Sequence, residues 1–558
     1  MEEKQVWEYP IRTCRTMHEC CVCGEKILYG GKYYDGGYGR RVHDFCGEQA
    51  RSDHEKIDDL KDKGHTRHFD IESKTIESIS NPETYKGIYA FHKYWGKKPS
   101  ESLSYFIQNC TNKGDIVLDP FLGSGLISIE THALSRRFIG IDINPFSIEH
   151  TSFLLSLPNP NEYMKAIHEI KNNVHDKIFE TYRMSDGKYA SHYLWEKEKL
   201  IKVWRKPETG KTRIEFEPTN SDIELIQSFE KYEIRNIKKG TFFENARINA
   251  KADMSIYNLF TRRALYNIDL LLDEIKKYPE KLQRALLLTL TSSSGQMSSM
   301  VFAISGRGKT KNEESTKIEV GSWVIGLWCP ELHFEINVWN CFENRAKKLH
   351  KALLESTNRD IPFTNDPLSV VGKMSSIGIV HGNSLNVLST LPEKSIKLII
   401  TDPPHSDRIP YLELSEMWNC LLNKDSDFSD EIVVSNAKER NKNKMKYLED
   451  MSKILIESNR ILLEDGFLLM YFNARDKQSW DFFTVIKAKT NLEFVGAFPM
   501  EYSANSVVQD NRKGAMKTDY LLVFKHHNGT NDLNSLNKIP GWIIELPKQT
   551  TASGDNDE

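Results

Sequence analysis

Two short buried-strand patterns, about 280 residues apart, limit the folds open to this chain more than any other feature. In the first, Asp115-Ile116-Val117-Leu118-Asp119 runs into Pro120-Phe121-Leu122-Gly123-Ser124-Gly125. A helical pattern over Ile127–Leu134 and a second strand, Phe138–Asp142, follow. In the second, Ile377–Val380 and Ile396–Ile400 read as strands, and the latter runs into Thr401-Asp402-Pro403-Pro404-His405. Apolar residues at helical spacing (Leu448, Met451, Ile454, Leu455, Ile461, Leu462) predict a long helix that stops at Gly466, with a strand over Phe467–Phe472. Glu493–Phe498 and Tyr520–Phe524 offer the last strands. Strand-turn-helix units build parallel sheets, so the pattern predicts one α/β sheet interrupted by an insertion of about 220 residues.

Length and composition fit such a plan. The 558 residues allow two to four domains, and 27% charged with 39% hydrophobic residues permits sizeable cores. The formal charge of −3 provides no global field for nucleic acid, so such a partner requires local basic surface. The start, Met1-Glu2-Glu3-Lys4, lacks the apolar stretch of a signal peptide. The uncharged run Ala285–Gly306 carries too many Ser and Thr to face lipid and reads as a buried helix leading into a small-residue turn. A cytoplasmic protein without membrane contact is expected. The predicted divisions are 1–50, Cys/His-rich; 51–84, a charged linker; 85–150, the first half of the sheet; 151–376, a mostly helical insertion; 377–527, the second half; and 528–558, a partly disordered tail.

The turns carry the chemistry. Glycines at 123 and 125 let backbone approach a ligand, and the helix that follows offers free N–H groups. Asp142 ends the next strand, 23 residues after Asp119, where a carboxylate accepts from ribose hydroxyls. That spacing suits a nucleoside-type cofactor, although the same residues also make a plain strand-to-helix turn. In Asp402-Pro403-Pro404-His405, the prolines stiffen the chain and remove two donors, leaving acceptors at the carboxyl end of a strand. An acceptor cluster suits a substrate presenting an NH₂ group, and a ring at position 405 suits stacking on the base that carries it.

These motifs together resemble the amino-group DNA methyltransferases, which use S-adenosylmethionine to methylate N6 of adenine or N4 of cytosine. Asp119–Gly125 is similar to their cofactor motif, and Arg136–Asp142 to the ribose-binding strand that follows. His92-Lys93-Tyr94-Trp95-Gly96-Lys97-Lys98-Pro99 resembles their Lys-Pro motif. His381-Gly382-Asn383-Ser384 is similar to the turn near the cofactor adenine, with Asn383 where the family has Asp. The resemblance implies a Rossmann-like seven-stranded sheet and a target-recognising insertion. It implies cofactor contacts at Lys98, Pro99, Asp119, Pro120, Phe121, Gly123, Ser124, Gly125, Asp142 and Asn383, and catalysis by Asp402, Pro403, Pro404 and His405. His405 departs from the Tyr, Phe or Trp that the family places there. The implied reaction is direct methyl transfer to a base flipped out of duplex DNA, adenine before cytosine, as part of a restriction or defence system with a separate subunit. Methylation of an RNA amine and a non-catalytic DNA-binding subunit are the alternatives.

Five of the nine cysteines fall within the first 46 residues. Cys20-x₂-Cys23 and His43-x₂-Cys46 supply three thiolates and one imidazole, which close a tetrahedral shell and predict a structural Zn²⁺ in a module resembling a treble clef. Two basic stretches are candidates for phosphate contacts. Residues 231–265 hold eight basic side chains against three acidic ones, and residues 436–447 hold five against one.

Overall fold

Seven strands form the central sheet: β1 (Ile116–Asp119), β2 (Arg137–Asp142), β3 (Ile377–His381), β4 (Ile396–Thr401), β5 (Leu462–Phe472), β6 (Leu492–Met500) and β7 (Asp519–His526). Their order is β3-β2-β1-β4-β5-β7-β6. The first five in that order are parallel, and β7 runs antiparallel to both β5 and β6. This is a Rossmann-like α/β sheet. The structure, a computed structural model, describes residues 9–20, 26–36, 41–44, 85–207, 213–305, 318–322, 326–356, 359–473, 481–500 and 519–531.

Parallel strands covered on both faces must be apolar throughout, and β1 and the middle of β2 are buried at every position. Helices α1 (Ser100–Cys110), α2 (Leu126–Ala133), α3 (Ser384–Thr390) and α4 (Lys444–Ile461) flank the sheet. Helix α4 is capped by the Asn443 side chain and buries Met451, Ile454, Leu455 and Ile461. It ends at Ile461 rather than at Gly466, because Leu462 already pairs with Ile396 of β4. The register then slips, so that Leu398 faces Phe467 and residues 463–466 fall within a bulge.

The insertion is less helical than expected. Helices Pro160–Glu180, Arg262–Ile275, Glu280–Met297 and Val338–Glu355 are present, but so is a four-stranded antiparallel sheet. Its members, in order, are Ile214–Phe216, Lys199–Arg205, His192–Glu196 and Leu332–Ile336. The charged run Glu196–Lys199 forms a hairpin turn with Lys197 at φ 56°. The Ser/Thr-rich stretch from Ala285 is a buried helix to Met297, as expected. Among the described residues, no helix is long and apolar enough to cross a membrane.

Residues 1–76 form a separate unit. Its described part has strands Ile11–Thr13, Lys32–Asp35 and Arg41–His43 in one antiparallel sheet, and the pair His18–Glu19 and Lys26–Ile27. Cys14, Cys20, Ile27, Tyr33, Tyr34 and Val42 make its core.

Candidate active site at the rim of the sheet

In this strand order the chain turns back on itself between β1 and β4, and a crevice opens there beyond the carboxyl ends of the strands. Asp119 ends β1, Asp142 ends β2, and Asp402 follows β4 directly. A cleft of about 890 Å³, mouth included, is lined by Gly123, Asp142 and Asn383 from one side and by Asp402 and Pro404 from the other. The two distant α/β stretches therefore open onto one cavity.

Backbone amides hold the first side. Asp142 accepts the N–H of Gly123 at 2.7 Å and that of Asn144 at 2.8 Å. Burial nevertheless raises its carboxyl to about 6, against those bonds. Asp119 accepts from Phe121 N–H at 3.0 Å and Thr401 Oγ1 at 2.6 Å, tying β1 to β4, and burial raises it to about 7. Gly123 and Gly125 adopt φ of 53° and 77°. A Cβ at Gly125 would lie 2.1 Å from Thr151 Oγ1, so only glycine fits where α2 begins. Asn383 caps α3 by accepting from Leu385 N–H and donates to Asp430 at 2.9 Å. The Ser384 hydroxyl donates to the Pro120 carbonyl, fastening α3 to the glycine turn.

Side chains hold the second side. Lys98 Nζ lies 2.8 Å from Asp402 Oδ2 and 3.5 Å from Asp519 Oδ2. Asp519, the first residue of β7, also pairs with Arg408 at 2.7 Å and accepts from Asn473 at 2.9 Å. Burial alone would raise Asp519, but Lys98 and Arg408 outweigh it and hold the carboxyl well below the usual range. His405 Nε2 stands 3.0 Å from Asp402 Oδ1 and 3.2 Å from the Tyr471 carbonyl.

Of the expected residues, Lys98, Asp119, Pro120, Phe121, Gly123, Ser124, Asp142, Asn383, Asp402 and Pro404 line the cleft. Lys98 spends its ammonium on the two carboxylates. Pro99 precedes α1 and Gly125 precedes α2. His405 differs from expectation: it is 5% exposed and lies edge-on to Phe472, with ring centroids 5.3 Å apart, so it presents no face for stacking. The tight turn through Ser406, at φ 57°, folds the imidazole back beneath the Asp402 carboxylate. Among the rings that do line the cleft, Tyr94 and Tyr411 lie 5.9 Å apart and 21° from parallel. Tyr94 lies within the Lys-Pro motif His92–Pro99, but Asp519 had no local signal, because it reaches the site only through β7.

About half of the basic side chains in the two stretches are paired within the protein. Arg235 pairs with Asp273, Lys238 with Asp425, Arg247 with Asp407, and buried Arg263 with Glu335. In the second stretch Arg440 is buried between Glu413 and Glu431, and Lys446 pairs with Asp450. These side chains hold the insertion and the region after Asp402 together.

Cys20 is buried, and its Sγ accepts the His43 N–H at 3.4 Å, so two of the expected metal ligands lie together. Cys23 and Cys46 fall outside the described residues, among which no cluster of three or more metal-binding side chains occurs.

The sheet and cleft thus define a Rossmann-like protein with a ligand crevice closed by carboxylates at both ends. Comparison with known proteins narrows this. A DNA methylase family model for N6 and N4 enzymes matches over residues 3–153. The chain is 22% identical over 432 residues to the type II methyltransferase M.MjaII of Methanocaldococcus jannaschii, spanning 72% of this chain and 74% of that protein. Shorter matches include M.BsoBI of Geobacillus stearothermophilus, 30% identical over 21% of this chain and 27% of that protein. M2.DpnII of Streptococcus pneumoniae is 43% identical over 9% of this chain and 20% of that protein. These matches support an amino-methyltransferase family.

Proposed function

We propose that this chain is a DNA methyltransferase that uses S-adenosylmethionine to methylate the exocyclic amine of a base flipped out of the duplex, adenine N6 before cytosine N4. The observation that carries this reading is the common cleft, with Asp142 and the glycine turn on one wall and Asp402 on the other. The wall fits a nucleoside cofactor: a carboxylate fixed by two backbone amides faces space that a Cβ at Gly123 would narrow against Tyr94. The cofactor, when bound, supplies an electrophilic sulfonium methyl group.

Asp402 and the Pro403 carbonyl accept the amine hydrogens, which draws the nitrogen lone pair out of the ring. Lys98 holds one oxygen of the Asp402 carboxylate, and the imidazole of His405, which donates to the Tyr471 carbonyl, lies 3.0 Å from the other. His405 is thus a positioning residue, and Tyr94 and Tyr411 provide the aromatic surface expected of position 405. Residues 85–150 and 377–527 make the methyltransferase domain, and 151–376 recognises the target. M.MjaII is named a type II methyltransferase, and a Haemophilus influenzae relative the Mod subunit of a probable type III restriction-modification enzyme, which suggests a restriction-modification context and a separate subunit for this chain. The thiol and amide contact between Cys20 and His43 suits a structural Zn²⁺ held with Cys23 and Cys46, which the metal content of the purified chain tests.

The test of the main reading is incubation with labelled cofactor and duplex DNA, followed by digestion to nucleosides and mass identification of the modified base. N6-methyladenine is expected. Cofactor binding without transfer to either DNA or RNA would refute it.

A further inference from the structure

Tyr411 lines the cleft from the first turn of helix Tyr411–Leu421. Gly96 lies against it, with φ 74°. A Cβ built on Gly96 would stand 2.9 Å from the Tyr411 hydroxyl and 3.7 Å from Asp402 Oδ2. The phenol and the carboxylate thus border one small space, which a side chain at position 96 would occupy. The left-handed backbone there favours glycine as well, so conformation and open space agree.

The hydroxyl of Tyr411 is unspent. Other tyrosines around the site use theirs: Tyr94 meets Ser147 Oγ at 3.2 Å, Tyr447 donates to the Pro404 carbonyl at 2.7 Å, and Tyr471 meets Ser102 Oγ at 3.5 Å. Tyr411 has no hydrogen-bond partner among the described residues; its ring lies beside that of Tyr94. Burial first, and then the negative charge of Asp402, hold its phenol well above the usual range, so it stays a neutral donor. A half-buried donor without an acceptor forgoes a hydrogen bond that a ligand can restore.

The chemistry of this edge selects its ligand. Asp402 and the Pro403 carbonyl are acceptors, and Tyr411 adds a donor. A base with an exocyclic amine offers the complement, an NH₂ group next to a ring nitrogen with a free lone pair, N1 in adenine and N3 in cytosine. Thymine and guanine present the reverse, a carbonyl beside an N–H, and would set acceptor against acceptor at Asp402. The ring placement agrees. With centroids 5.9 Å apart the two tyrosines are offset rather than overlaid, so a base laid on Tyr94 meets Tyr411 at its edge.

We propose that Tyr411 determines which bases are accepted, its hydroxyl donating to the ring nitrogen next to the target amine while Asp402 accepts from the amine itself. The assignment rests on the methyltransferase reading and deepens it. A donor on the ring nitrogen does not free the amine lone pair, so Tyr411 serves selection rather than bond formation.

The test is a cycle between one atom of the protein and one of the substrate, read as kcat/KM on a duplex that the full wild-type chain methylates. Tyr411→Phe removes the oxygen and keeps the ring beside Tyr94. The matching duplex carries 1-deazaadenine at the target, or 3-deazacytosine if cytosine is the base found modified. In both analogues a C–H replaces the ring nitrogen and the amine stays. Each change alone is expected to lower kcat/KM by about tenfold, and the two together by no more than about tenfold, since both remove the same bond. Effects of the analogue on pairing and flipping act equally on both enzymes and cancel in the cycle. Cofactor affinity of Tyr411→Phe is expected within about twofold of the wild type, which a disturbed cleft would not allow. Losses that multiply to about a hundredfold, or a Tyr411→Phe enzyme that matches the wild type, remove Tyr411 from the base contact. Absence of any transfer by the wild type to unmodified duplex overturns the methyltransferase reading and this assignment with it, a result distinct from the other two.

Discussion

Asp142 and Asp402 face the same cleft but are fastened in different ways. Asp142 is held by the N–H groups of Gly123 and Asn144, which belong to turns fixed by the sheet itself. Asp402 is held by Lys98 and backed by the imidazole of His405, with Lys98 in turn steadied by Asp519 from β7. Backbone donors carry no rotamer entropy, whereas a lysine loses up to about 2 kcal/mol of it on ordering. One wall is therefore fixed by the fold. The other depends on three chain segments meeting, and its failures should show in catalysis rather than in stability.

The sharpest break of that contrast is Asp402→Ala, expected to lower methyl transfer by about 10³-fold while cofactor affinity stays within a factor of two or so. Single-turnover transfer and calorimetric cofactor titration measure both, and substantial retained transfer would remove Asp402 from its role. On the backbone-built wall the corresponding change is Gly125→Ala. Its Cβ meets Thr151 and the left-handed φ disfavours it, so a stability loss of about 2–4 kcal/mol is expected in denaturant unfolding. A change under ~0.5 kcal/mol would mean that the turn relaxes freely.

A smaller separation is expected at the ligand-facing atoms. Asp142→Ala should weaken the cofactor by about tenfold to a hundredfold, the range for hydrogen bonds to a charged group, with little effect on the rate at saturation. His405→Phe should lower the saturated rate by about tenfold and leave the KM for DNA unchanged, because the buried imidazole ties the turn beneath Asp402 to the Tyr471 carbonyl and does not touch the base. A rise in rate or a tighter KM with Phe would instead restore stacking to position 405.

The sequence made the backbone-built wall easier to read than the other. Strand patterns at 115–119, 138–142 and 396–400 and the glycine turn are local, and each element lies within a residue or two of its expected place. Asp402 was equally plain, being the only acid in a Pro-Pro corner after a strand. Its supports were not. Lys98 read as a cofactor ligand because its motif says nothing of Asp519, which lies more than 400 residues away in sequence. Position 405 read as a stacking ring because a motif names a residue but not the turn that buries it. The basic stretches were legible only in part, for the same reason. Charge counts along a chain do not reveal that Arg263 and Arg440 are claimed by Glu335, Glu413 and Glu431 from elsewhere.

The finest test of the comparison is pH, since it reads Asp142 without altering it. Burial raises its folded carboxyl from 3.8 to about 6. A carboxyl raised on folding contributes stability that is fully present below about pH 4 and is lost as pH rises through about 6, because ionisation is then costlier in the folded state. A ligand that donates hydroxyl hydrogens to the carboxylate favours the charged form and opposes that loss. Cofactor affinity should therefore increase as pH rises through about 6, by up to roughly tenfold per pH unit below it, and level off above. Asp119, raised to about 7, titrates nearby but already accepts from Thr401 and Phe121 and gains no such donor. Asp142→Asn should then flatten the profile between pH 5 and 7, as followed by calorimetry, while Asp119 still titrates. A profile that keeps its slope in Asp142→Asn would assign the pH response to Asp119 and remove Asp142 from the ligand contact.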